Sequence, residues 1–244
     1  MTRRAVSTLL VCLGIATSPV VAQEEQYMSI QWWHPLVVAG GTGLIMLIDE
    51  PVQTFIQDNK SGEQDEVADV AKEFKNPEVF FIIGGGTLAA GLLAQQPKIT
   101  RTGLQIFGAY GLSSAMMIAT KWAFGRTRPS ETPDDPFDFD WFNGTQETSF
   151  PSGSSTVVFS LATTLSDAIG HPVASVLLYT GATLNAWSRV YGNRHWVSDV
   201  ALGAVYGIAA AKLVNGRWRI FGVRPPTFLI GPDKTAGLQY SFSF

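Results

Sequence analysis

Hydrophobic positions along the chain gather into six runs of helical length: Gln31 to Asp49, Val79 to Ala94, Gly103 to Phe124, Ser155 to Ile169, Pro172 to Trp187 and Val200 to Val214. None shows the every-second-residue alternation of a strand, so each predicts a helix. Glu50 to Glu78, between the first two, is polar. There Val67, Val70, Ala71 and Phe74 recur at helical spacing and predict one short amphipathic helix. The loop from Gly125 to Phe150 carries Pro129, Pro133 and Pro136 with four aspartates. The ending Leu238-Gln-Tyr-Ser-Phe-Ser-Phe244 alternates apolar and polar residues, which predicts a terminal strand or an extended docking segment. The pattern is that of an all-α, six-helix bundle over residues 23–214 with an extended tail over 215–244.

Composition adds an environment. Of the 244 residues 46% are hydrophobic and 15% charged, below the ~25% charged of a typical soluble domain. That is one domain's worth of core, with a membrane as a candidate setting. A net charge of −3 gives no support to nucleic-acid binding. Residues 1–22 read as a signal peptide: Arg3 and Arg4, an apolar stretch from Leu9, then Val20-Val21-Ala22. The sole cysteine, Cys12, lies inside it, so the exported chain would hold neither disulfides nor thiolate metal sites.

Topology carries a conflict. Residues 49–78 hold nine acidic and three basic residues, marking that loop as outer, while Lys98 and Arg101 mark the next as inner. Cleavage after Ala22 with every run spanning would instead turn Lys121 to Pro129 inward. Either the leader stays, or at least one run does not span, which admits a soluble periplasmic bundle. Membrane association in the cell envelope, with an outward-facing site, is the reading adopted.

Three polar stretches beside these runs carry candidate chemistry. Trp187 to Asp199 reads W-S-R-V-Y-G-N-R-H-W-V-S-D, and His195 and Asp199, four residues apart, would share a face of a helix starting near Trp196. A carboxylate holding one ring nitrogen leaves the other as an outward lone pair. Arg189 nearby suits an anion. Lys121, Arg126 and Arg128, before Pro129, place three cations within eight residues at a helix exit and predict a compact positive pocket. Ser149-Phe-Pro151-Ser152-Gly153-Ser154-Ser155 precedes a helix, where the first backbone N–H groups form an anion seat. Its plain alternative is capping of that helix by Ser154 or Ser155.

In this order the stretches resemble the type-2 phosphatidic acid phosphatase and vanadium haloperoxidase superfamily, whose pattern is K-x6-R-P, then P-S-G-H, then S-R-x5-H-x3-D. Lys121 and Arg128-Pro129 match the first, and Ser188, Arg189, His195 and Asp199 match the third in full. The resemblance covers about Gly103 to Val214. It implies His195 as the nucleophile that forms a phosphohistidine and Asp199 as the group that orients it. Lys121, Arg128, Arg189, Ser152 and Gly153 would hold the phosphoryl oxygens, with Ser188 beside them. No metal or cofactor is implied; vanadate enters only as a phosphate mimic.

The second motif departs from the family: Ser154 stands where the family's histidine protonates the leaving alcohol. General acid catalysis contributes about 10²–10⁴-fold, so its loss weighs most on esters with poor leaving groups. His34 and His171 are the other histidines; an interfacial anchor suits the first and a distant turn the second. Asp134, Asp135, Asp138 and Asp140 read as a solvated acidic run. The expectation is a phosphatase acting on phosphate monoesters or pyrophosphates, borne on lipid. The alternatives are an impaired protein that binds phosphate or a phospholipid headgroup, and a vanadate-dependent haloperoxidase.

Overall fold

A computed structural model describes residues 27–73, 77–145, 148–223, 227–230 and 236–239. The expected signal peptide, residues 1–22, lies outside them, as do the last five residues of the tail.

The first apolar run forms α1 (His34–Met46), and the polar connection forms two helices rather than one, α2 (Asp49–Asp58) and α3 (Gly62–Glu73). The remaining runs give α4 (Pro77–Leu93), α5 (Pro97–Phe124), α6 (Gly153–Ile169), α7 (Pro172–Tyr191) and α8 (Val197–Val214). The described residues therefore hold eight helices where seven were expected, six from the apolar runs and one in the connection. The added element arises because α1 stops at Met46 and the chain bends by 47° into α2, whose first turn carries Asp49 and Glu50. Acidic side chains favour the positive end of a helix, so a new start there is favourable.

Prolines open α1, α5 and α7 within their first turn, where a missing N–H costs nothing. Gly125 closes α5 in the left-handed region, φ 56°, and a Cβ there would strike the Asp140 carbonyl oxygen. The ends Phe124, Tyr191, Gly153 and Val197 thus meet at one end of the bundle, with Asp49. At the other end β1 (Met28–Ile30) pairs in parallel with β2 (Trp218–Ile220). In the tail, β3 (Thr227–Ile230) and β4 (Ala236–Gln239) form an antiparallel hairpin.

Helix α8 is central, touching α1, α2, α5, α6 and α7. Its approach to α6 is close because Gly207 faces that helix: a Cβ there would meet the Thr156 carbonyl and lie 2.7 Å from Ser160 N. The apolar core is small, built on Val158, Phe159, Ala162, Ala182 and Ala186. Much of the interior is hydroxyl. Thr156, Ser160 and Thr164 are buried and bond to carbonyls of their own helix.

The outside is the reverse. Leu36, Leu44, Ile82, Leu93, Val176 and Leu177 are each more than 60% exposed. Exposed apolar side chains thus recur along α1, α4 and α7. Among the described residues α8 alone is long and apolar enough to cross a bilayer by itself; up to three spans result if α1 with α2, and α3 with α4, each count as one.

Because backbone rather than a flexible side chain fills the space beside Gly207, Gly207→Ala must push α6 and α8 apart. It is expected to destabilise the fold by about 1–3 kcal/mol, read as a lower thermal midpoint of the purified protein.

Candidate active site

The last turn of α7 carries Ser188 and Arg189, the loop Gly192 to Trp196 follows, and α8 begins at Val197. Two carboxylates fix that helix start. Asp199 accepts the Trp196 N–H at 2.8 Å, and Asp49 accepts the Ser198 N–H at 2.9 Å. Both satisfy donors that a helix leaves orphaned in its first turn.

His195 precedes the helix, so helical stacking over Asp199 does not place it. Its Nδ1 lies 2.9 Å from the Ser149 carbonyl oxygen, whereas the nearer Asp199 oxygen is 3.6 Å away, beyond hydrogen-bonding range. A carbonyl only accepts, so Nδ1 carries the hydrogen and Nε2 presents the lone pair. Asp199 acts on the support instead. It accepts the Ser149 hydroxyl, and its backbone carbonyl accepts the Ser152 N–H at 2.9 Å. The second and third motifs are thereby locked together.

The cations divide into two kinds. Lys121, in the last turn of α5 and 5% exposed, donates to the Thr148 carbonyl. It and Arg189 act electrostatically on His195. Arg128 and Arg194 act on Arg189. The imidazole and the cations of the first and third motifs therefore share one local field. Arg194 was not anticipated; its position next to His195 was the available signal.

Arg126 is different, and corrects the expectation that it helps form the positive pocket. It is fully buried. Nε donates to the Pro136 carbonyl at 2.8 Å, Nη1 to Asp199 at 2.8 Å and Ser198 Oγ at 2.7 Å, and Nη2 to Asp49 at 2.8 Å and the Pro136 carbonyl at 2.5 Å. A guanidinium has five N–H donors, and all five are spent inside the protein. The rings of Phe139, Phe150 and Trp196 enclose it.

Ser152 caps α6, accepting from Ser155 N at 3.4 Å and from the Ser155 hydroxyl at 3.0 Å, so the cap is neither Ser154 nor Ser155. Ser154 and Gly153 follow it in the first turn, both partly exposed. The Ser188 hydroxyl donates to its own helix, to the Asn185 carbonyl at 2.7 Å. His34 opens α1, stacked on Trp33 at 3.9 Å, and His171 caps α7; both sit at the opposite end of the bundle. Neither can serve chemistry at His195. Asp134, Asp135 and Asp140 are exposed and Asp138 is half-buried, with the Asp135 side chain accepting the Phe137 N–H and that of Asp140 accepting from Asn143.

Burial lowers the His195 pKa from 6.5 to about 4, with the positive fields of Lys121 and Arg189 adding to the effect and Asp199 opposing it. The imidazole is thus neutral at physiological pH, the form that can act as a nucleophile.

Residues 102–219 match the profile of the PAP2 superfamily. Two curated relatives align with the chain. One is a lipid A 1-phosphatase of Porphyromonas gingivalis, 38% identical over 109 residues, which are 44% of this chain and 21% of that protein. The other is an Escherichia coli protein, YbjG, named as a candidate undecaprenyl-diphosphatase, 27% identical over 134 residues, 54% of this chain and 63% of that one. The chain therefore matches less than two thirds of either relative. Two solved structures share the fold. One is LpxE of Aquifex aeolicus, with a TM-score of 0.53 and 23% identity over 67% of this chain and 92% of that one. The other is a transmembrane PAP2-type phosphatidylglycerolphosphate phosphatase of Bacillus subtilis, with 0.55 and 20% over 75% and 95%.

A buried neutral histidine has a definite sign in solution. The unfolded chain takes up the proton near pH 6.5 and the folded one near 4, so stability falls as pH drops from 6.5 towards 4 and is insensitive to this group above 6.5. NMR titration is expected to show a His195 ring that does not titrate between pH 5.5 and 8, with a midpoint near 4; a midpoint near 6.5 contradicts the burial.

Proposed function

We propose that the chain is a phosphatase that hydrolyses phosphate monoesters or diphosphates borne on lipid through a phosphohistidine at His195. The observation that carries this reading is the Nδ1 contact to the Ser149 carbonyl, which leaves Nε2 as a free nucleophile in a field shared with Lys121 and Arg189. The match to the PAP2 superfamily over 102–219 supports the phosphatase class. The names of both curated relatives describe phosphate carried on lipid, and the exposed apolar side chains of α1, α4 and α7 suit a lipid setting.

In the proposed reaction Nε2 of His195 attacks phosphorus and the bond from phosphorus to the leaving oxygen breaks. Lys121, Arg128, Arg189, the Ser152 hydroxyl and the Gly153 N–H are assigned to the equatorial oxygens, where phosphoryl transfer needs positioned positive charge more than covalent help. Water then attacks phosphorus, the P–N bond breaks, and inorganic phosphate leaves with the imidazole restored. Ser154 supplies no proton near neutral pH, so the departing oxygen must leave as an anion or take its proton from water. A diphosphate or a glycosyl or aryl phosphate suits such a site better than a simple alkyl phosphate. The same Ser154 favours a second reading, a protein that captures a phosphate headgroup without turning it over.

Phosphate release from a diphosphate lipid, a phosphatidate and an aryl phosphate tests both. Turnover of the first and third is expected, with His195→Ala lowering it about 10³-fold or more; phosphate binding with no release from any of the three favours the binding reading. Ser154→His is expected to raise the phosphatidate rate by about 10²-fold and to leave the aryl phosphate rate within about threefold, since an acid is needed only by the poorer leaving group.

The reading extends to location. Lys98, Arg101, Arg217 and Arg219 lie at the end of the bundle opposite His195, and the acidic α2 and α3 lie at the site end. Positive charge is retained inside, so the site would face outward in the envelope. With Cys12 replaced, Asp135→Cys is expected to react with an impermeant thiol reagent on intact cells and Gln95→Cys is not. Reaction of both points to an exported bundle that does not span.

A further inference from the structure

Asp49 lies outside the PAP2 segment and in a run of acidic residues that nothing local sets apart, yet it is completely buried. One of its oxygens accepts the Ser198 N–H at 2.9 Å; the other accepts Arg126 Nη2 at 2.8 Å and the Ser198 hydroxyl. Arg126 passes the contact on to Asp199 at 2.8 Å, Asp199 holds the Ser149 hydroxyl and the Trp196 N–H, and the Ser149 carbonyl holds His195 Nδ1. We propose that Asp49 is a positioning residue for His195, acting through Arg126 and Asp199. The inference rests on the phosphatase reading and deepens it.

Two effects follow from the geometry. The first is charge. Two carboxylates and one guanidinium carry a formal −1 on the side of the imidazole away from Nε2. A phosphoryl group arriving at Nε2 makes the ring cationic, and a buried negative cluster stabilises that state. With Asp49 neutral, Arg126 and Asp199 cancel and the cluster offers no net charge. The second is geometry. Asp49 holds Arg126 by Nη2 and Asp199 holds it by Nη1, so each carboxylate fixes one terminal nitrogen of the guanidinium. Without the Asp49 hold Asp199 closes on Arg126 and its grip on Ser149, whose carbonyl fixes the tautomer of His195, is loosened. Groups of this kind, which orient a reacting residue without touching the substrate, typically cost about 10–100-fold when removed.

A merely structural Asp49 would cap α8 and neutralise Arg126 with no separate effect on turnover, and kinetics of the purified full chain distinguish the two roles. For Asp49→Asn, kcat on an aryl phosphate is expected to fall about 10-fold or more. KM and the inhibition constant of inorganic phosphate stay within about threefold, because Lys121, Arg128 and Arg189 are not touched. Asp49→Glu, which keeps the charge, restores at least about half of the loss. Wild-type kcat in folded Asp49→Asn overturns the proposal, and so does a phosphate affinity that weakens in step with kcat. If Asp49→Asn does not fold, Ser198→Ala removes only the hydroxyl shared by Asp49 and Arg126. A reduced kcat with unchanged phosphate inhibition is expected there, and an unchanged kcat overturns the proposal.

Imidazole ¹⁵N NMR reads the same tether without turnover, and with three histidines in the chain its assignment is simple. The wild type is expected to hold the His195 proton on Nδ1, and Asp49→Asn or Ser198→Ala to mix the two tautomers. An unchanged tautomer overturns the inference. A wild type inert on every substrate overturns the phosphatase reading alone, leaving the NMR to decide this one.

Discussion

Taking a guanidinium and two carboxylates out of water costs several kcal/mol per ion. The Arg126 cluster offsets that cost only because all five donors of the guanidinium find acceptors: Pro136 twice, Asp199, Ser198 and Asp49. The site depends on this arrangement. Arg126 joins the loop after α5 to the start of α8 and the start of α2, and each of those segments supplies or supports a group around His195. Deleting one partner would strand a buried charge, at about 3–5 kcal/mol, so the cluster tolerates no partial version of itself. It is a poor source of net stability and a strong constraint on geometry.

The imidazole inherits that constraint at one remove. Asp199 does not bond to His195; it holds Ser149 by the hydroxyl, and the Ser149 carbonyl holds the ring. Such a route fixes the tautomer with a neutral acceptor, leaving the carboxylate free to satisfy Arg126 and cap α8 at the same time.

Much of this was legible in the chain. Helical runs, the closeness of three polar stretches to helix ends, and the resemblance they carry were all read from local pattern. The division of labour among the arginines was not. Arg126 and Arg128 are two residues apart and chemically identical in sequence; burial separates them, and burial depends on Asp49, which is distant in the chain. Asp49 itself was hidden among nine acidic residues between positions 49 and 78. The spacing of four between His195 and Asp199 suggested a helical pair, but the helix starts only at Val197, after the histidine. Ser149 was visible only as part of a turn, since its function uses a backbone carbonyl, which every residue has. The second helix in the polar connection was missed for the opposite reason: α2 has a run too short and too acidic to announce itself by periodicity.

The buried hydroxyls of α6 carry a different lesson. Thr156, Ser160 and Thr164 bond within their own helix, so that helix is complete in its polar bonding before it meets a neighbour. Segments of that kind can form singly in a lipid setting and associate afterwards. The charged cluster cannot. Its bonds exist only once the segments around α2, α5 and α8 have come together, which makes assembly of the His195 end the cooperative step: a chain with all its helices made but Arg126 unseated would have the outline of the fold without the tether on His195.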